Sequence, residues 1–463
     1  MTSTAPSDDP TGSRPDSGSD GSPVPGQATS GALLRAVGLP GAVLLGLGSI
    51  LGTGVFVSLA IGAGVAGAAV VPAVVLAALV ATANGLSSAQ LAAAHPVSGG
   101  TYEYGYRVLH PAAGFAAGWM FLVAKSASAA TAALGCAGYL LHALGLPGPF
   151  AVRVGLGLLL VGGLAALVAG GIRRSNAVNA VIVSSTLLVL GAFVVLGVAT
   201  LEPGEAARRL GPAALFAAAG GDPVAFLHGT ALLFVAYTGY GRIATLGEEV
   251  RDPARTIPRA VVATLALTMA LYASVVATAV ASVGADAFAR AATRGAAAPL
   301  EVVAETFRIP GLPSFIAFGA ITAMVGVLLN LLLGLSRVLL AMARRGDVPG
   351  GLARVTGATG SPARAVWTVS GLVAALVALG EVETTWTVSA FTVLVYYGLT
   401  NLAALRLPPE SRRFPRAVSW FGLLACFGLA FFVPWPVWLT GLGVLLGGFL
   451  ARGLFRRLRR PPG

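Results

Sequence analysis

Long apolar blocks alternate along this chain with short breaks rich in proline, glycine and arginine. Read block by block, they fall at about 40–63, 68–94, 111–141, 151–171, 177–200, 224–248, 258–283, 313–343, 363–380, 384–405, 417–434 and 436–453. An α-helix needs ~20 consecutive apolar residues to cross the hydrocarbon of a bilayer. The pattern predicts an all-α integral membrane protein of about twelve transmembrane helices. The third and eighth blocks exceed the minimum length and are expected to tilt. Residues Met1 to Ser30 break the pattern, being rich in Ser, Pro, Gly, Thr and Asp with almost no bulky apolar side chain. Such a segment cannot bury enough surface to fold, so a disordered tail is expected there. It lacks the basic start and apolar stretch of a signal peptide, which leaves targeting to the first span.

Composition agrees with lipid as the solvent. Of 463 residues, 56% are hydrophobic and only 10% charged, with a mean hydropathy of +0.83. A soluble domain carries roughly 25% charged residues. The net charge of +12 comes from arginines in the short breaks, which is the positive-inside pattern rather than a nucleic-acid surface. With the N-terminus inside, Arg107, Arg173, Arg174, Arg251, Arg255, Arg259, Arg344, Arg345, Arg354, Arg364, Arg412, Arg413, Arg416, Arg456, Arg457, Arg459 and Arg460 are cytoplasmic. Only Arg153, Arg208, Arg209, Arg290, Arg294 and Arg308 then lie outside, so both termini are expected in the cytoplasm of a multi-pass cell-membrane protein. The Ala/Gly/Arg bias suggests the inner membrane of a GC-rich bacterium. The longest outer connection, Gly284 to Leu312, contains Glu301 and Glu305 and reads as a short helix over that face, either a lid or a plain connection. Cys136, Cys426 and the scattered His95, His110, His142 and His228 show no metal-ligand spacing, and no cofactor or enzyme chemistry is called for.

Two spans carry clustered glycines. The first contains Gly46, Gly48, Gly52 and Gly54 around Ser49, Ile50 and Thr53; the sixth contains Tyr237-Thr238-Gly239-Tyr240-Gly241-Arg242. Each glycine costs a helix about 1 kcal/mol relative to alanine. Broken backbone in hydrocarbon persists only where it is buried in protein or lines a cavity. Two such breaks five spans apart point to an inverted repeat with a binding site at the breaks; close helix packing on small residues is the alternative. Free N–H groups around Thr53 and Gly54 would suit a carboxylate. Carbonyls near Tyr237 and Thr238 would accept from an ammonium, and Tyr240 would cap the substrate as a gate.

These residues resemble a known family. Gly48-Ser49-Ile50-Leu51-Gly52-Thr53-Gly54-Val55-Phe56 is similar to the first-helix motif of the amino acid–polyamine–organocation permeases. Phe234 to Ala260, with Gly247-Glu248-Glu249-Val250-Arg251-Asp252-Pro253 and Thr256-Ile257-Pro258-Arg259-Ala260, is similar to their sixth-helix and loop signature. Leu335-Ser336-Arg337-Val338-Leu339-Leu340-Ala341-Met342-Ala343-Arg344 is a third match. The resemblance implies amino-acid substrates, alternating access and a five-plus-five inverted-repeat core of the leucine-transporter type with two extra C-terminal helices. The expected organisation is a tail at 1–34, a first repeat at 35–205, a second at 206–410, and the last two helices with a basic tail at 411–463. It also implies an inner gate drawing on Arg242, Glu248, Glu249 and Arg337, although helix capping and surface ion pairs would use the same loop charges.

Lys125 is the single lysine and sits deep in the third span beside Ser126, Ser128, Ala129 and Thr131. A charge at that depth costs roughly 2.5–3.5 kcal/mol, so such residues usually face a cavity. All eighteen acidic residues fall in tails, loops or span ends, leaving carbonyls, hydroxyls or a substrate anion to satisfy Lys125. Coupling to protons, substrate contact and a structural bond to unwound carbonyls are its three readings. Some proton-coupled relatives carry a lysine in the fifth helix, at the position that Thr186 occupies here, so Lys125 is no positional equivalent. The eighth span reads Ala323-Met324-Val325-Gly326, without a mid-depth Ser/Thr pair for sodium. The absence of mid-membrane acids disfavours cationic substrates, whose second charge would be unpaired. Neutral, small or apolar amino acids are favoured; an acidic one would pair with Lys125. Asn330 and Asn401 read as helix-packing hydrogen bonders. An exchanger, a facilitator, a carrier of another solute and a non-transporting sensor are the alternatives, with oligomeric state left open.

Overall fold

The computed structural model describes residues 37–95, 100–171, 176–212, 215, 220–244, 250–293, 298–355, 361–379 and 381–458. The expected N-terminal tail and the loop residues Glu248 and Glu249 lie outside the described residues. Apart from a single turn at Thr101–Tyr104, the helices, in chain order, are α1 (Leu39–Ile50), α2 (Leu59–Ala66), α3 (Val70–Ala94), α4 (Pro111–Ala143), α5 (Phe150–Ala169), α6 (Asn176–Ala199), α7 (Pro203–Leu210) and α8 (Pro223–Tyr237). They continue with α9 (Gly241–Ala244), α10 (Pro253–Val283), α11 (Ala285–Thr293), α12 (Pro299–Thr306), α13 (Leu312–Arg345), α14 (Ala363–Ala378), α15 (Val382–Leu405), α16 (Arg416–Phe432) and α17 (Trp435–Leu458). Among the described residues the one β-type contact is an isolated bridge between Val37 and Val250.

All-helical architecture follows from the solvent, because in hydrocarbon each backbone N–H and C=O must be bonded within its own segment. Nine stretches of the described chain are long and apolar enough to cross a membrane, with α2 and α3 counted together; α1, α14 and α16 are apolar but shorter. This is an integral membrane protein. α4 and α15 are the most enclosed spans, α4 packing extensively on α15 and α13 while α3 packs on α10. The outermost helices instead expose bulky apolar side chains such as Leu159, Val181, Phe431 and Leu450. That surface would aggregate in water and suits lipid.

Two boundaries differ from the pattern of apolar blocks. α10 begins at Pro253 rather than near 258, and α17 continues to Leu458 rather than ending near 453. Charged residues end an apolar block without ending a helix when their side chains find partners. Arg452 and Arg456, on the last turns of α17, do so at Asp347. The connection from 284 to 312 also holds two short helices, α11 and α12, where one was expected.

Asp347 sits just after α13, which ends at Gly346 in the left-handed region (φ 80°). Its carboxylate is fully enclosed and accepts from Arg452 Nε at 2.7 Å, Arg456 Nη2 at 3.2 Å, Tyr102 Oη at 3.0 Å and the Tyr106 hydroxyl. Arg452 Nη2 also donates to Tyr106 Oη and to the Pro111 carbonyl. Beside it, Glu103 accepts from Arg107 Nε and Arg345 Nη2, each at 2.6 Å. Burial works to raise the Glu103 carboxyl, but the two arginines outweigh it and hold it below its ordinary 4.5. These bonds tie the segment before α4, the end of α13 and the end of α17 into one polar cluster.

Removing one partner of a buried ion pair strands the other and costs about 3–5 kcal/mol, whereas replacing both by apolar groups is often neutral. Asp347→Leu should therefore lower the thermal unfolding midpoint of detergent-purified protein markedly. Asp347→Leu combined with Arg452→Met should recover most of that loss.

Candidate functional site

Both glycine-rich segments interrupt their helices. α1 stops at Ile50, Leu51 is extended (φ −73°, ψ 105°), and the chain re-enters helix through a π-turn at Gly54–Ser58 before α2. α8 stops at Tyr237 and passes through a 3-10 turn at Thr238–Tyr240 into α9. The breaks lie against each other: a Cβ on Gly239 would overlap the Ser49 carbonyl oxygen and the Ile50 side chain. Only glycine allows that crossing.

Each break leaves carbonyls without helical partners, and side chains from neighbouring helices supply donors. Tyr272 Oη of α10 donates to Ile50 O at 3.0 Å and to Ala236 O at 3.4 Å. Tyr397 Oη of α15 donates to Thr238 O at 3.0 Å, and Tyr139 Oη of α4 to Phe56 O at 2.8 Å. Within the flanking helices, Trp386 Nε1 also reaches Leu232 O of α8 at 2.9 Å, and Asn330 Nδ2 reaches Gly48 O of α1 at 3.2 Å. The carbonyls near Tyr237 and Thr238, expected to be available to an ammonium, are thus engaged in this conformation. Burial in hydrocarbon explains it, since an unbonded carbonyl there is costly.

Between the breaks lies a cavity of about 40 Å³, lined by Ser49, Ile50, Thr53, Gly54, Lys125, Ser128, Val235, Ala236, Thr238, Gly239, Val327, Leu331 and Trp386. That is room for a few waters. Lys125 is buried and its Nζ donates to Thr238 Oγ1 at 2.8 Å. Thr238 Oγ1 passes the bond on to Val235 O at 2.7 Å. No carboxylate pairs with Lys125 among the described residues. Ser128 Oγ bonds Ser389 Oγ at 2.8 Å, and Ser389 donates onward to Ala124 O. Thr53 Oγ1 is sealed from solvent and meets no partner among the described residues. The arrangement is an apolar cavity with one cation, one orphan hydroxyl and two helix ends.

The structure brings seven of the sequence-derived site residues to this cavity: Ser49, Ile50, Thr53, Gly54, Lys125, Thr238 and Gly239. Gly52 sits in the bend, close under Val327. Tyr237 faces away and bonds Val74 O at 3.2 Å. Tyr240, expected to cap the substrate, lies outside the lining with its ring 5.3 Å from that of Tyr397. Thr186 is buried in α6 and returns its hydroxyl to Ile182 O at 2.7 Å, apart from the lining. Of the gate residues, Arg337 is exposed and Arg242 half-buried. Reading the sequence missed Val235, Ala236, Val327, Leu331 and Trp386. Apolar liners carry no signal that separates them from packing residues.

Comparison with known proteins adds to this geometry. The chain is 41% identical to an uncharacterized transporter of Mycobacterium tuberculosis, over 92% of its own length and 93% of that protein's. It is 29% identical to a branched-chain amino acid permease of Bacillus subtilis, over 87% of the chain and 88% of the relative. A methylthioribose transporter of the same organism is 26% identical over 93% and 95%. The profile of the amino acid permease family matches residues 41–454. With broken helices, a cavity between them and the profile in agreement, this chain belongs to the amino acid permease family.

Proposed function

We propose that this protein is a secondary-active transporter of neutral, apolar amino acids, coupled to protons. The observation that carries the reading is the cavity between the two helix breaks, apolar on most sides and holding Lys125 as its one ionisable group. The amino acid's carboxylate would lie at the start of the Gly54–Ser58 turn, beside the N–H groups of Thr53 and Gly54, since those of Val55 and Phe56 already donate to Gly52 O, with the Thr53 hydroxyl as a further donor. Its side chain would face Val235, Val327, Leu331 and Trp386. The likeness to a branched-chain amino acid permease supports an apolar side chain. A cavity of about 40 Å³ must widen to hold that substrate, which an alternating-access cycle would allow.

Twelve crossings follow if α1–α2 and α8–α9 each count as one broken span and α14 and α16 as two more. This reading pairs two inverted five-span repeats and adds α16 and α17. The arginine distribution puts the Asp347 cluster and both termini on the cytoplasmic side. Lys125 would exchange its proton as the Lys125–Thr238 bond breaks and reforms, because lysine, unlike arginine, gives up its proton readily when buried.

Three outcomes test the reading in proteoliposomes loaded for leucine and valine uptake. An inward proton gradient should stimulate uptake, and Lys125→Met should remove that stimulation; stimulation that survives the mutation rules Lys125 out as the coupling group. Uptake that ignores the gradient but needs internal amino acid would identify an exchanger instead. Gly239→Ala should cut uptake at least ~10-fold while inserting normally, because its methyl separates the two breaks. Arginine should compete at least ~100-fold more weakly than leucine, since no carboxylate in the cavity pairs its guanidinium.

A further inference from the structure

Glu301 is the second residue-scale anomaly of the fold, after Lys125. It lies on α12, outside the spans, yet it is only 3% exposed. Its Oε2 is sealed from solvent and finds no hydrogen-bond partner among the described residues. The preceding residue is tied directly to the broken helix. Leu300 N donates to Tyr139 Oη at 3.2 Å, and Tyr139 Oη donates to Phe56 O in the π-turn. One turn further along, Glu305 Oε1 meets His142 Nε2 at 3.0 Å, at the end of α4. α12 packs against α13, α11, α10 and the π-turn, so it is seated directly on the second half of the first broken span.

A bare buried carboxylate without donors is among the costliest arrangements in a protein, while the neutral acid is tolerated. Among the described residues, the charged or titratable groups on its own helix and on the elements tied to it are Glu305, Tyr139 and His142 of α4, and Asp286 and Arg290 of α11; Arg308 follows α12. The facing parts of α10, α13 and the π-turn bring none. Burial first, and then the like charge of Glu305, push the Glu301 carboxyl up from its ordinary 4.5 to about 8.

We propose that Glu301 is a proton-binding site on the extracellular cover, filled when α12 is seated and emptied when it lifts. Lifting hydrates the side chain and returns it to ordinary carboxylate behaviour, so between about 4.5 and about 8 each seating takes up close to one proton. The sign follows from linkage: the seated state has the higher affinity for the proton. Seating is fully favoured below about 4.5, weakens as pH rises to about 8, and is independent of pH above that. Within the window the seating constant falls about tenfold per pH unit. In transport, a consequence that rests on the function proposed above, acid outside would favour closure over the bound substrate. Lys125 handles the proton of the substrate cavity, and Glu301 that of the cover.

The test is hydrogen–deuterium exchange of the amides of residues 299–306 in lipid nanodiscs, from pH 5 to 9, corrected for intrinsic exchange chemistry. Wild-type protection should fall about tenfold per unit toward pH 8 and then level off. Glu301→Gln, a permanently neutral isostere, should keep high protection at every pH. Glu305→Gln should keep the transition but shift it to lower pH, by removing the like charge. A flat wild-type profile, a Glu301→Gln profile that titrates like wild type, or a Glu305→Gln midpoint equal to wild type would each overturn the assignment. The readout needs no substrate, so it stands or falls separately from amino-acid uptake: failed uptake with an intact exchange profile indicts the transport reading alone.

Discussion

A helix broken in hydrocarbon exposes carbonyl oxygens that must be bonded by something other than water, and the rest of this fold is arranged around that requirement. Tyr272, Tyr397, Tyr139, Trp386 and Asn330 come from four different helices and converge on the carbonyls of the two broken spans. Asn179 of α6 adds a sixth donor, to Leu44 O at 2.8 Å. Each bond is worth little more than 1 kcal/mol net, but the penalty for leaving its acceptor bare is larger. The breaks therefore exist only where these neighbours pack, and the enclosed positions of α4 and α15 follow from having donors to deliver.

The same bonds decide what the cavity can offer. With Ile50, Ala236 and Thr238 carbonyls occupied, the unengaged polar equipment is the Thr53 hydroxyl and the Lys125–Thr238 pair. Any bound ammonium has to displace a tyrosine hydroxyl or recruit a carbonyl by shifting a half-helix. In the proposed mechanism recognition and movement would be one event, because the carbonyls offered to the substrate are the ones that the tyrosines hold. Gly239 makes this coupling mechanical as well, since it lets one break rest directly on the other.

Buried acids mark the two ends of the bundle and behave oppositely. At one end Asp347 is surrounded by Arg452, Arg456 and two tyrosine hydroxyls and acts as a fixed knot. At the other, Glu301 is buried and its Oε2 has no donor among the described residues, so its charge and its seating oppose one another. Paired burial gives rigidity; unpaired burial gives a condition on closure.

Sequence alone determined the elements. Blocks of about twenty apolar residues, the near absence of charge and the glycine clusters at 46–54 and 239–241 are local properties, and they specified helices, membrane, both breaks and the isolation of Lys125. What it could not determine were the partners. Tyr272, Tyr397 and Tyr139 lie 222, 159 and 83 residues from the carbonyls they bond, and nothing periodic links such positions. Tyr240 stands next to the break yet turns toward Tyr397, while Trp386, Val327 and Leu331 reach the cavity from distant helices. Which face of a helix meets a cavity depends on the helices packed around it, and in an apolar span every face has nearly the same composition. Tertiary packing alone decided which hydroxyls were consumed, which one was left over, and which acid was buried without a partner.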